Sequence, residues 1–263
     1  MRLFWKICAI SIQRQLAYRA AAMAGLLTNL FFGLLRAAVL VALYGSRTVV
    51  TGISIEGAIT YTGITQGIIG FLSLFSWYEL MSTVYSGAIA SDLVKPLNYY
   101  RFWMAQDFGR AMAQLVLRGV PIMVVYAVAF NITTPTSITQ GLVILASMLL
   151  AWNISFSWRF LLNLSSFWVP NAMGILRFGF VLSWFLSGFL MPIRYFPDWL
   201  QQICYLTPFP HLINTIVEIY LGVISGTELL KIFMLQVGWA LGLMVLSNLV
   251  LRAGIRRLII SGG

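Results

Sequence analysis

Apolar residues run in six long stretches, 21–44, 58–80, 111–130, 138–160, 170–191 and 229–251, and the segments between them hold Pro, Gly, Asn and most of the charge. A hydrocarbon core of roughly 30 Å takes about 20 helical residues to cross, so each stretch predicts a transmembrane helix. Residues 1–20 read differently. Arg2, Lys6 and Gln13 fall on one helical stripe, with Phe4, Trp5, Ile12 and Leu16 elsewhere. This predicts an amphipathic helix lying in the membrane interface, and Arg14 and Arg19 interrupt the apolar run a signal peptide would need. Segment 192–228 is apolar but broken by Pro192, Pro197, Pro208 and Pro210. Proline frees a backbone carbonyl inside a helix, so this segment reads as a re-entrant hairpin of short helices shielded by protein. The pattern predicts an all-α membrane protein of one domain over 1–263, with no soluble domain and no internal repeat.

Composition supports that reading. Of 263 residues, 60% are hydrophobic and 9% charged, against roughly 45–50% and 25% in soluble domains. There are 17 Lys and Arg against 7 Asp and Glu, a net charge of +10. On a soluble domain that excess would suggest nucleic acid; here the basic residues sort across a bilayer, and nucleic acid is not expected as a partner. With the N-terminus inside, thirteen basic residues fall on the inner side: Arg2, Lys6, Arg14, Arg19, Lys95, Arg101, Arg110, Arg118, Arg159, Arg177, Arg252, Arg256 and Arg257. Only Arg36, Arg47, Arg194 and Lys231 fall outside. The positive-inside rule then makes both termini cytoplasmic. Cys8 and Cys204 lie on opposite sides in this layout, so no disulfide within the chain is expected.

Catalytic signatures are missing. There is no G-x-x-x-x-G-K-[ST] phosphate loop, no G-x-S-x-G, no H-E-x-x-H and no C-x-x-C. His211 is the single histidine, and the acids are scattered singly. No catalytic, metal or cofactor residue is therefore assigned, and movement across the membrane is a better reading than bond chemistry.

Two connecting segments carry more information. The inner loop 86–101 has small residues, then Asp92, Lys95 and Pro96, then Tyr99 and Tyr100. A short helix there would offer Ile89, Leu93 and Leu97 as an apolar ridge for a soluble partner. The outer segment carries S-G-F-L-M-P-I-R-Y-F-P-D-W-L at 187–200, T-P-F-P at 207–210 and Y-L-G at 220–222. With D-L-V-K-P-L at 92–97, these runs resemble the permease subunits of ABC-2-type transporters, in the prokaryotic branch with compact six-span permeases. The resemblance covers nearly the whole chain.

That resemblance implies a permease in a prokaryotic inner membrane, an exporter, paired with a second permease of the same or a related chain and with two ABC-type ATPase subunits. ATP and Mg would belong to those subunits. Ala90, Ser91, Asp92, Leu93, Val94, Lys95 and Pro96 would form the helix that couples to the ATPase. Gly188, Pro192, Phe196, Pro197 and Pro208 would belong to an external gate over the path. The second span and the C-terminal half of the fifth would line the dimer interface.

Polar residues within the spans add a further expectation. Gly25, Asn29, Gly33 and Arg36 share one helical face, which must meet protein or water because a charge facing lipid costs at least about 2.5 kcal/mol. Gly63-x-x-x-Gly67 allows close helix approach beside Gln66, and Gln66 is expected near Arg36, within one subunit or between two. Arg118, Arg159 and Arg177 near the inner boundary form either a basic vestibule or pairs with Glu79 and Asp107. The rival functions are a non-transporting membrane anchor or assembly protein, a lipid enzyme, and a secondary transporter, whose usual repeated halves are not visible.

Overall fold

A computed structural model describes residues 2–169 and 171–257, with the side chain of Arg19 left undescribed. Pro170, the first residue of the fifth predicted span, and residues 258–263 lie outside the described residues. The described residues are 78% helical with almost no sheet. Helix α1 (Arg2–Ala17) leads into α2 (Arg19–Tyr44), and a hairpin of two-residue strands, β1 (Val49–Val50) and β2 (Ile53–Ser54), turns into α3 (Ile55–Leu72). Thr51 and Gly52 both have positive φ in that turn, the backbone that a two-residue hairpin favours. Two short helices follow, α4 (Glu79–Tyr85) and α5 (Ile89–Leu93). Then α6 (Tyr99–Gln114), a π-helical turn over Leu115–Gly119 and α7 (Val120–Ala129) form one continuous rod. Helix α8 (Ile138–Leu164) ends in a 3₁₀ turn, and α9 (Met173–Leu186) is shorter. Segment 193–220 contains α10 (Asp198–Tyr205) and α11 (Asn214–Tyr220) with two 3₁₀ turns, and α12 (Gly226–Ile255) closes the described chain.

Among the described residues four helices are long and apolar enough to cross a membrane: Ala20–Tyr44, Tyr99–Ala129, Ile138–Phe167 and Gly226–Ile255. Their outer faces expose Phe31 and Leu35, Leu145 and Leu149, Val245 and Leu249, an apolar girdle that suits hydrocarbon and not water. The protein is a multi-pass membrane protein. The predicted spans at 58–80 and 170–191 are occupied by shorter helices. Helix α3 is capped at its start by Ser54, whose hydroxyl accepts from Gly57 N at 3.0 Å, and it ends eight residues before the expected boundary. Ser73 there adopts φ +49, and its N–H returns to the carbonyls of Gly70 and Ile69, a left-handed C-terminal cap. Leu74, Phe75 and Trp77 are apolar but not helical, which is why hydropathy alone carried the span too far. The 99–129 rod instead starts twelve residues early, capped by Asn98, whose side chain accepts from Arg101 N at 2.9 Å. Its π turn precedes Pro121. Proline lacks an N–H and crowds the carbonyl four residues back, and widening one turn accommodates it.

Helix α3 is the axis of the bundle: fourteen of its eighteen residues are buried within the single chain. That burial leaves little of α3 itself for the dimer interface expected of the second span. Gly63 lies under the ring of Tyr126 and Gly67 against the backbone of Gly119, so the small-residue face packs α3 onto the 99–129 rod.

Helix α1 lies along α6. The Ser11 hydroxyl donates to Gln106 O at 2.7 Å, the Cys8 thiol to Ala105 O at 3.1 Å and Gln114 Nε2 to Gln15 Oε1 at 2.8 Å. Gly109 makes the approach possible, because a Cβ there would strike the Cys8 carbonyl. Both cysteines are buried free thiols. Gly109→Ala is expected to cost about 1–3 kcal/mol through overpacking and to lift α1 from α6. Cys8, 3% exposed, then reacts faster with a maleimide, by roughly tenfold per 1.4 kcal/mol, while Cys204 labelling stays unchanged. Equal Cys8 labelling in both proteins would refute the glycine's role.

Candidate functional site

Two polar clusters grip the ends of α3, about 15 Å apart at a 1.5 Å rise per residue. The first surrounds Asp107 of α6, 3% exposed. Arg159 of α8, 1% exposed, binds it with both terminal nitrogens, Nη1 to Oδ1 at 3.0 Å and Nη2 to Oδ2 at 2.9 Å. Trp152 Nε1 adds a bond to Oδ2 at 2.9 Å, and Arg110 Nε one to Oδ1 at 3.0 Å. Arg110 Nη1 also donates to Gly70 O at 2.8 Å and Nη2 to Phe71 O at 3.3 Å, while the Ser155 hydroxyl donates to Leu72 O at 2.6 Å. These are the carbonyls that a helix end leaves without partners, and cations suit that end of the helix dipole. One carboxylate thus holds two guanidiniums, and the cluster fastens the C-terminal turn of α3 to α6 and α8. Asn163, one turn beyond Arg159, extends the joint to the next segment: its Oδ1 accepts from Met81 N and its Nδ2 donates to Trp77 O, each at 2.9 Å.

The second cluster surrounds Tyr61 near the start of α3. Its hydroxyl donates to Gly188 O at 2.6 Å. Asn214 of α11 accepts from Ile193 N at 3.1 Å, and its own N–H donates to Ser187 O at 3.1 Å. Gly188 has φ +80, and a Cβ on it would lie 2.5 Å from Tyr61 Oη and 3.0 Å from Asn214 Cβ, so only glycine fits this bend. Buried Glu218 accepts from Arg194 Nε at 2.6 Å. Arg36 of α2 donates to Phe189 O at 2.7 Å and sits 4.0 Å over the Phe189 ring.

The residues singled out in the sequence fall into this frame unevenly. In the 90–96 set, α5 covers Ile89–Leu93, and Asp92 pairs with Lys95 at 2.7 Å. The expected docking ridge is corrected: Ile89 is buried and Leu93 packs against the core. The helix has turned its apolar side inward to cover the bundle end, leaving Ser91, Val94 (85% exposed), Lys95 and Pro96 outward. Among the gate residues, Gly188 joins the Tyr61 cluster. Pro192 and Pro197 each precede a short helical turn, Phe196 stacks on Phe185 at 5.8 Å, and Pro208 starts a separate turn.

The α2 face carrying Gly25, Asn29, Gly33 and Arg36 meets protein at Gly25, Gly33 and Arg36 and a small cavity at Asn29. Gly25 lies under the Arg118 guanidinium and Gly33 against Gln66 and Tyr126. Gln66 therefore sits beside Gly33, one turn from Arg36, and Arg36 takes the Phe189 carbonyl instead of bonding Gln66. The three inner arginines do not converge into a vestibule: Arg159 is paired with Asp107, Arg177 is exposed on α9, and Arg118 donates to Ala21 O at 3.1 Å.

Pairing with Asp107, one of the two alternatives read from the sequence for the inner arginines, holds for Arg159; the bonds of Arg110 and Trp152 to Asp107 and the cluster around Asn214 were not read from the sequence. The available signal was Arg159, an isolated charge within an apolar run, which in a membrane calls for a partner. Among the described residues no group of His, Cys, Asp and Glu could hold a metal ion.

A family model described as ABC-2 family transporter protein matches residues 30–262. The chain belongs to the ABC-2 transporter family. It is the membrane component of a transporter, and ABC-2 permeases generally work with ATP-binding subunits. No curated protein and no solved structure matches the chain.

Proposed function

We propose that this ABC-2 protein is the permease subunit of an exporter in a prokaryotic inner membrane, powered by separate ATPase subunits and paired with a second permease, with both termini cytoplasmic. Family membership supports the transporter part of this reading, and the sorting of basic residues supports the orientation. Export and pairing rest on the resemblance of the two loop motifs. The exposed apolar residues Val181 and Phe185 of α9 leave a face free for the second permease.

One observation carries the mechanism: the segment that leads to the outward edge Ser91–Pro96 leaves one end of a single buried helix, and the Gly188 bend is bonded to the other. ATPase closure would press on the 91–96 edge. Asn163 ties the neighbouring segment to α8, so the push reaches the Asp107 cluster and the C-terminal turn of α3. Helix α3 then carries it, as a rod, to Tyr61, Gly188 and Asn214 at the other end. Such a shift requires ATP to favour one state over the other, and the partner subunit supplies that difference.

The test is native mass spectrometry of the tagged permease from its own host, alongside Val94→Glu and Lys95→Glu. The wild type is expected to carry a subunit with a phosphate loop, one per permease. Both variants are expected to lose at least about tenfold in its retention, a cost of about 1.4 kcal/mol, with unchanged thermal stability. A permease that emerges alone under gentle conditions, or variants that keep the subunit and transport normally, would overturn the coupling reading.

A further inference from the structure

We propose that the cavity between α2, the C-terminal turn of α3 and the π turn of the 99–129 rod binds a phosphate group, carried by a lipid headgroup or by a free phosphate. The cavity holds about 210 Å³ and is lined by Asn29, Ser73, Ser76, Arg110, Gln114 and Arg118, among others. Drug-sized pockets hold roughly 300–1,000 Å³ and are mainly apolar; this one is smaller and polar, the scale of a headgroup.

Its charge has one sign. No acidic side chain lines it. Arg110 is committed to Asp107 and the α3 carbonyls, but Asp107 also neutralises Arg159, which leaves the three-residue cluster with an excess positive charge. Arg118 has no carboxylate partner among the described residues. Its recorded bond is to Ala21 O, and its Nε is buried without any acceptor. The Ser73 and Ser76 hydroxyls and the Asn29 amide line the same cavity and have no protein hydrogen-bond partner among the described residues, which adds donors open to a ligand beside the buried Arg118 Nε. Buried Gln114 Oε1 is likewise without a donor, and a protonated phosphate oxygen or a headgroup hydroxyl would supply one.

Local backbone geometry builds the site. Arg118 belongs to the π turn Leu115–Gly119, a distortion frequent at functional sites, and the bare Cα of Gly25 gives its guanidinium room to lie flat on α2. Planar guanidinium donors match phosphate oxygens. Ser76 and Phe75, exposed at the rim, offer one polar and one apolar exit, and the apolar exit suits an acyl chain.

The experiment uses the full chain in maltoside detergent without phosphate, read by thermal unfolding and native mass spectrometry. Three probes are added separately: inorganic phosphate, dioleoylphosphatidylglycerol and dioleoylglycerol. Wild type is expected to be stabilised by one or both phosphate-bearing probes and not by dioleoylglycerol. Phosphatidylglycerol alone identifies a lipid site; inorganic phosphate alone identifies a soluble ligand. Arg118→Leu is expected to weaken binding by at least about tenfold, the loss of one charge-assisted hydrogen bond. Asn29→Leu, at a half-buried position, gives a second variant should Arg118→Leu fold poorly. The proposal is overturned if neither phosphate probe binds, if dioleoylglycerol binds equally well, or if both variants bind as wild type does. None of these outcomes depends on an ATPase partner, so the site and the transport mechanism fail or stand separately.

Discussion

Asp107→Ala is expected to destabilise the purified protein by about 3–5 kcal/mol, the cost of leaving a buried charge without its partner. The upper part of that range applies, because one carboxylate is shared by two guanidiniums, and Arg159 lies where water does not reach it. The α3 carbonyls bonded to Arg110 would loosen with it. Thermal unfolding followed by tryptophan fluorescence measures the loss, and Trp152, bonded to Asp107, reports directly from the site. A compensating variant separates charge burial from packing. Replacing a buried ion pair by apolar residues of similar volume is often neutral or stabilising. Asp107→Leu combined with Arg159→Met removes the more deeply buried pair and leaves Arg110 on the Gly70 and Phe71 carbonyls, so it is expected to recover part of the lost stability. If the double variant is as unstable as Asp107→Ala, the cluster is held by something other than paired charge.

Gly188→Ala has the next largest expected effect. A non-glycine residue in the left-handed region costs roughly 1–2 kcal/mol, and the new methyl would overlap the Tyr61 hydroxyl and crowd Asn214, adding about 1–3 kcal/mol of overpacking. Transport should fall with stability, since the bend sits where α9 meets the 193–220 segment. Tyr61→Phe removes the hydroxyl the methyl would strike. Tyr61→Phe with Gly188→Ala should therefore recover part of the overpacking and none of the backbone strain. Strictly additive losses in the two single variants would show that the contact is not the cause.

The long apolar helices were legible because lipid-facing residues need only be apolar. Helices α2, α8 and α12 match the stretches 21–44, 138–160 and 229–251 to within four residues at each end. Errors concentrate where charge or polarity is buried. Arg101, Asp107 and Arg110 read as a loop, because the partner that lets Asp107 enter the core, Arg159, is 52 residues away. At 73–78 the chain stops being helical without Gly or Pro. The cause is again long-range: Trp184 Nε1 takes Leu74 O at 2.6 Å, Asn163 takes Trp77 O, and the arginine caps the turn before. Gly188 was marked by its sequence motif, but its necessity comes from Tyr61, far away in the chain. For 90–96 the helix was read, but which side faces out was not. A five-residue helix has too few turns for its pattern to separate a docking ridge from a lid.

Polarity at the axis of the bundle also bears on how the chain is made. A translocon lets each new segment partition between water and lipid before later segments exist. Helix α3 reaches that point with Thr60 and Thr65 unsheltered and Gln66 met only by Gly33 of α2, and it is not among the helices apolar enough to span alone. Tyr126, Gly119 and Arg110, which cover its faces and its end, are all synthesised afterwards. Its lateral release is therefore expected to await the 99–129 rod, the two leaving the channel as a pair instead of one by one.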